Sequence, residues 1–93
     1  MRIIIRGNIS RKGKDYSSFS GVVMSTLAKE LGANIRAKRK QLGISQDGLA
    51  LDCGVDRSYM GRIERGEVNI TVEKLYQIAA KLDCRPALLL PDI

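Results

Sequence analysis

The stretch Ile44-Ser45-Gln46-Asp47-Gly48-Leu49-Ala50-Leu51-Asp52-Cys53-Gly54-Val55-Asp56-Arg57-Ser58-Tyr59-Met60-Gly61-Arg62-Ile63-Glu64-Arg65-Gly66 decides the fold. Within it one pattern occurs twice: an apolar residue, a cap-forming residue, and a second apolar residue four positions after the cap. Ile44, Ser45 and Leu49 make the first instance, and Val55, Asp56 and Met60 the second; Ile70, Thr71 and Leu75 repeat it downstream. Ser, Asp and Thr at a helix start can accept hydrogen bonds from its unpaired first amides, and the residue before the cap packs against the fourth helical position. The pattern predicts three helix starts. Gly54 and Gly66 are placed to stop the first two helices, and the third runs through Ile78, Ala79 and Leu82 to a loop at Asp83. Pro86 suits a first helical turn and opens a short last helix carrying Leu88, Leu89 and Leu90.

Upstream, Leu27, Leu31, Ile35 and Leu42 recur at the spacing of one buried helix face. Gly32 interrupts that pattern at a cost of about 1 kcal/mol against Ala, which leaves a break there open. The sum is an all-α domain of five helices over residues 25–93, preceded by a basic arm over residues 1–24. The arm reads either as flexible or as a short strand at Arg2 to Arg6, because Ile3, Ile4 and Ile5 favour extended backbone.

Composition bounds the function. At 93 residues the chain has room for one small domain, and its 44% hydrophobic and 28% charged content exclude wholesale disorder. With 4% aromatics and no Trp, a stacking platform for single-stranded nucleic acid is not supported. No apolar run approaches the roughly 18 residues of a membrane span, and Ile3 to Ile5 is too short for a secretory signal, so a cytoplasmic protein of bacterial or phage origin is expected. The net charge of +6 invites a nucleic-acid partner, but its placement is uneven. Arg2, Arg6, Arg11, Lys12 and Lys14 stand in the first 14 residues without one acid, so the remainder is almost balanced. Any affinity for DNA must therefore come from where individual charges sit within the domain. There is no His, and Cys53 and Cys84 alone offer neither a zinc ligand set nor a Cys–His nucleophile; they read as reduced packing residues. No metal, cofactor or enzymatic activity is expected.

The two short helices joined by the tight Gly54-Val55 turn have the spacing of a helix-turn-helix. At 100° per residue, Met60 and Ile63 mark the buried side of the second, and Ser58, Gly61, Arg62 and Arg65 lie opposite, with Arg57 at the edge. A helix fits the major groove, where Arg can bond guanine O6 and N7 together and Ser can reach several base edges. Arg57, Ser58 and Arg62 are the predicted base contacts. Gly61, read as an exposed mid-helix position, is expected to let the helix approach the groove. Phosphate contacts that set register are assigned to Gln46, Tyr59, Arg65 and Asn69. Lys38 and Lys40, in the run Arg36 to Lys40, read first as a solvated helix face.

The run Ile35 to Gln46, with Leu49-Ala50, Gly54 to Tyr59 and Ile63-Glu64-Arg65-Gly66, resembles the Cro and phage-repressor helix-turn-helix proteins, the XRE family. Asp56 to Arg65 with Asn69-Ile70-Thr71 is similar to the controller proteins of restriction-modification systems. The resemblance spans about two thirds of the chain, residues 31 to 90. It implies a compact lambda-repressor-like fold, base contacts at Arg57, Ser58 and Arg62, a phosphate contact at Gln46, and a structural bridge between Arg39 and Glu64. The chain departs from the family at Val68, where controller proteins often carry Arg, and at Arg85, where a Ser or Thr cap is common; the arm is not shared. The expected function is a sequence-specific, double-stranded DNA-binding transcriptional regulator, repressor or controller. It reads a palindromic operator through Asp56 to Arg65 as a homodimer, joined through Leu88, Leu89 and Leu90. The alternative is an antitoxin that binds its own promoter and wraps a toxin with its arm.

Overall fold

The computed structural model describes residues 16–92, with side chains described from Thr26 onward. Five helices follow in order: α1 (Tyr16–Gln41), α2 (Gln46–Asp52), α3 (Arg57–Glu64), α4 (Val72–Lys81) and α5 (Pro86–Leu89). Residues 1–15 of the expected arm, with the Arg2 to Arg6 strand, lie outside the described residues, whereas residues 16–24 form the start of α1.

The staple positions pack as the pattern requires. Leu49, Met60 and Leu75 are buried, and Ile44, Val55 and Ile70 pack against the same core. The three caps are not equivalent. Ser45 Oγ accepts from the Gly48 amide at 2.9 Å and Thr71 Oγ1 from the Lys74 amide at 3.0 Å, but the Asp56 side chain makes no cap bond. The start of α3 is therefore held by its Val55–Met60 staple and by extended backbone at Asp56, not by a carboxylate cap.

At the other ends, α1 to α4 close in one way: the second residue past the cap donates back to the carbonyl five positions earlier. These bonds run from Ile44 to Arg39, Val55 to Ala50, Glu67 to Arg62 and Cys84 to Ala79, at 2.9 to 3.0 Å. The residue between must be left-handed; Gly43, Gly54 and Gly66 take that place in three helices and Asp83, at φ 54°, in the fourth.

Gly32 does not break α1. Its missing side chain instead lets α1 touch the end of α3, because a Cβ there would collide with the carbonyl oxygens of Ile63 and Glu64, the latter 2.6 Å away. Gly66 completes the same contact. At φ +74° a Cβ on it would stand 2.7 Å from the Lys29 amide nitrogen, so both backbone conformation and space exclude any other residue. These two glycines set the distance between α1 and α3.

The core consists of Ile35, Leu49, Ala50, Cys53, Met60, Ile63, Leu75, Ile78, Ala79, Leu82 and Leu89, drawn from all five helices and the turns between them. One sequence expectation needs correction: Leu42 is 43% exposed. The face of α1 turned toward α3 ends at Arg39, α1 stops at Gln41, and the chain turns away at Gly43, so Leu42 falls beyond the packed surface. The C-terminal helix is tied to α1 by Asn34, whose Nδ2 donates to the Leu89 carbonyl at 3.0 Å and the Leu90 carbonyl at 3.4 Å. Leu89 is 1% exposed and belongs to the chain's own core, which removes it from the expected dimer surface; Leu88 and Leu90 are 60% and 48% exposed.

Candidate nucleic-acid interface

The outer face of α3 begins with what holds it in place. Arg39 and Glu64 form a two-pronged ion pair, Nε to Oε2 at 2.7 Å and Nη2 to Oε1 at 3.0 Å, with side chains 10% and 2% exposed. The third guanidinium nitrogen, Nη1, donates to the Ile44 carbonyl at 2.9 Å, and Gln46 Nε2 donates to Glu64 Oε1 at 3.0 Å. One carboxylate thus joins α1, the loop after it, α2 and α3. Its hydrogen bonds raise the Arg39 pKa against the opposing effect of burial, so the guanidinium stays charged. A bridge between desolvated charges adds little net stability, but leaving one partner alone costs several kcal/mol, so this network fixes helix orientation.

On this frame, Gln46, Arg57, Ser58, Gly61, Arg62 and Arg65 line one open, shallow groove. Arg57, Ser58, Arg62 and Arg65 are exposed, as the helical wheel predicts. Gly61 is not on an open surface: it is buried beneath Gln46 and Arg65, whose Oε1 and Nη1 would lie 3.5 and 3.1 Å from a Cβ. The expected exposure is corrected accordingly. A Cβ at Gly61 would stand in ordinary contact with Gln46, and the flexible tip of Arg65 would have to give by a few tenths of an ångström. Tyr59 is half-buried and packs against the core, and Asn69 is exposed beyond α3. The face therefore brings together Gln46, Arg57, Ser58, Arg62 and Arg65; Tyr59 and Asn69 lie outside the groove lining.

Two carboxylates that the sequence reading passed over stand beside these arginines. Asp47 Oδ1 lies 3.3 Å from Arg57 Nε. Glu67 accepts from Arg65 Nε at 2.7 Å and from Nη2 at 3.4 Å, and Arg62 Nε is 3.8 Å from its Oε1. The hydrogen bond from Arg65 holds the Glu67 carboxyl below the usual carboxylate range and raises the arginine's own pKa. The available signal was an acid two residues past Arg65 and another at the first turn of α2. Of the two departures from the family pattern, Val68 packs against the core and Arg85 starts α5 without a side-chain cap bond.

The geometry agrees with relatives of known structure or name. The chain is similar to the restriction-modification controller protein C.AhdI from Aeromonas hydrophila, at 36% identity and TM-score 0.65 over 68% of this chain and 96% of that one. It is 40% identical over 52 residues to a hypothetical transcription factor of Neisseria meningitidis, covering 56% of this chain and 49% of that protein. With control protein C.SmaI of Serratia marcescens it shares 38% over 53 residues, covering 57% of this chain and 63% of that protein. The chain spans about half or less of the length of several curated relatives it matches. A helix-turn-helix family model, HTH_3, matches residues 35–89, from the last third of α1 to the end of α5, and the chain belongs to that family.

Proposed function

We propose that this chain is a sequence-specific regulator of transcription that binds double-stranded DNA as a homodimer. The observation that carries the reading is the open face of α3, where Arg57, Ser58, Arg62 and Arg65 are presented together on a helix whose angle is locked by the buried Arg39–Glu64 pair. Such a face fits the major groove, and arginine and serine are the side chains that bond base edges there. Arg57, Ser58 and Arg62 are assigned to the bases. Gln46 and Arg65, with Tyr59 and Asn69 at the flanks, are assigned to phosphates. Gln46 uses one Nε2 hydrogen on Glu64 and keeps the other for a phosphate oxygen.

One such helix reads few base pairs, so two copies related by a twofold axis are invoked, reading half-sites about 34 Å or 10 base pairs apart. Leu88 and Leu90 provide the exposed apolar surface for that pairing. No described helix is long and apolar enough to cross a membrane, and the proposed place of action is where the DNA lies, in the cytoplasm. The antitoxin alternative rests on the arm, whose residues 1–15 lie outside the described part.

Selection of bound duplexes from a random pool tests the reading. The expected result is enrichment of a sequence with two symmetric half-sites one helical turn apart, by a species that sediments as a dimer. Absence of any enriched duplex overturns the proposal, and a strictly monomeric complex overturns its twofold part.

A further inference from the structure

The buried network explains why α3 is oriented, but not why its exposed arginines carry carboxylates of their own. Arg57 leans on Asp47 from the first turn of α2, and Arg65 and Arg62 both face Glu67 in the loop after α3. An acid on a surface that meets a polyanion repels phosphate, so its presence at both ends of the helix weakens any interaction governed by charge alone. Its effect on a bidentate base contact is different. A guanidinium approached by a carboxylate at Nε, as in Arg57 and Arg62, keeps its Nη edge free and its plane restrained, which is the state in which it meets guanine O6 and N7.

We propose that Glu67, and to a lesser degree Asp47, are specificity-determining positioning residues: they hold Arg62 and Arg57 away from indiscriminate phosphate contact and aim them at base edges, and Glu67 restrains Arg65 to the one phosphate contact that sets register. This inference rests on the DNA-binding reading above and deepens it. Glu67 dominates because it engages two arginines, one of them through two hydrogen bonds; Asp47 engages one through a single longer contact. Exposure argues for this role over a structural one. The Arg65 and Glu67 side chains are 58% and 47% exposed, so their pairing adds little to the fold, and both remain accessible to a ligand.

The test compares the full chain with Glu67→Gln and Glu67→Asp on two duplexes, the sequence the wild type selects from a random pool and a scrambled one of equal length, across a salt series. Glu67→Gln frees two cations without changing side-chain length. It is expected to bind the scrambled duplex about five- to tenfold more tightly near 0.1 M salt, the effect of roughly one added phosphate contact, with a steeper salt dependence. Binding to the selected duplex should change by less than that, so the ratio of the two affinities falls severalfold. Glu67→Asp keeps the charge and is expected to recover most of the ratio, a rescue that a purely structural residue would not give. Unchanged discrimination in Glu67→Gln, or equal changes in Gln and Asp, overturns the positioning role while the wild-type selection still stands as evidence of DNA binding. A wild-type chain that selects no duplex overturns the function and this inference together.

Discussion

Arg39 with Glu64, and Arg65 with Glu67, are the same chemical pair at nearly the same distance, 2.7 Å from Nε to the nearest carboxylate oxygen in each. They differ in water. The first pair is almost wholly covered and shares its carboxylate with Gln46, while the second stands with about half of each side chain in solvent. Burial separates their roles. A desolvated pair cannot be broken cheaply and so fixes an angle between helices, whereas a solvated one exchanges readily and can give its arginine to an incoming ligand.

The largest effect expected from this contrast is at the buried member. Glu64→Ala leaves Arg39 charged and without its carboxylate, and should lower unfolding free energy by about 3–5 kcal/mol in urea denaturation. A double change that removes both charges, Arg39→Met with Glu64→Leu, should lose far less than the single one, because the orphaned charge is the source of the cost. A single variant as stable as the wild type would remove the distinction between the two pairs. Gly32→Ala probes the same contact without touching charge. Its methyl group would meet two backbone carbonyls that cannot rotate away, and the expected loss is about 1–3 kcal/mol, with weaker DNA binding because α3 shifts.

How much of this was readable beforehand follows from the range of the forces. Helix starts at Ser45, Asp56 and Thr71 were legible because caps and staples involve residues within five positions of one another. The exposed face of α3 was legible from its 3.6-residue period, and the Arg39–Glu64 pair came only through family resemblance, since no local pattern links residues 25 apart. Gly32 was misjudged because propensity treats a helical glycine as a weak point, while here it is the point of closest helix approach. The exposure of Gly61 failed in the opposite direction: its backbone does face outward, but Gln46 and Arg65 fold over it, and side-chain cover is not encoded in a helical wheel. Leu89 shows the same limit, three consecutive leucines giving no sign of which one turns inward.

At the solvated rim the readout moves from folding to recognition. Arg57→Ala should weaken binding to the selected duplex by about 1–3 kcal/mol and relax preference at one base pair, while folding stability changes by no more than about 0.5 kcal/mol. Equal loss on selected and scrambled duplexes would make Arg57 a phosphate contact and not a base reader.

The smallest effect belongs to the exposed pair itself. In a double-mutant cycle on stability, Arg39 and Glu64 should couple by about 0.5–3 kcal/mol, and Arg65 and Glu67 should show no coupling beyond error at physiological salt. Its pH dependence has a definite sign. The Glu67 carboxyl is lowered by its hydrogen bond from Arg65, so whatever the pair contributes is complete above the usual carboxylate range and fades as pH falls through the lowered value. Because both groups are in water, that fade should be invisible in a denaturation midpoint yet visible in duplex discrimination, where the carboxylate acts on arginines poised against phosphate. A coupling at Arg65–Glu67 as large as at Arg39–Glu64 would mean that exposure does not divide the two pairs, and the rim would then have to be read as part of the frame.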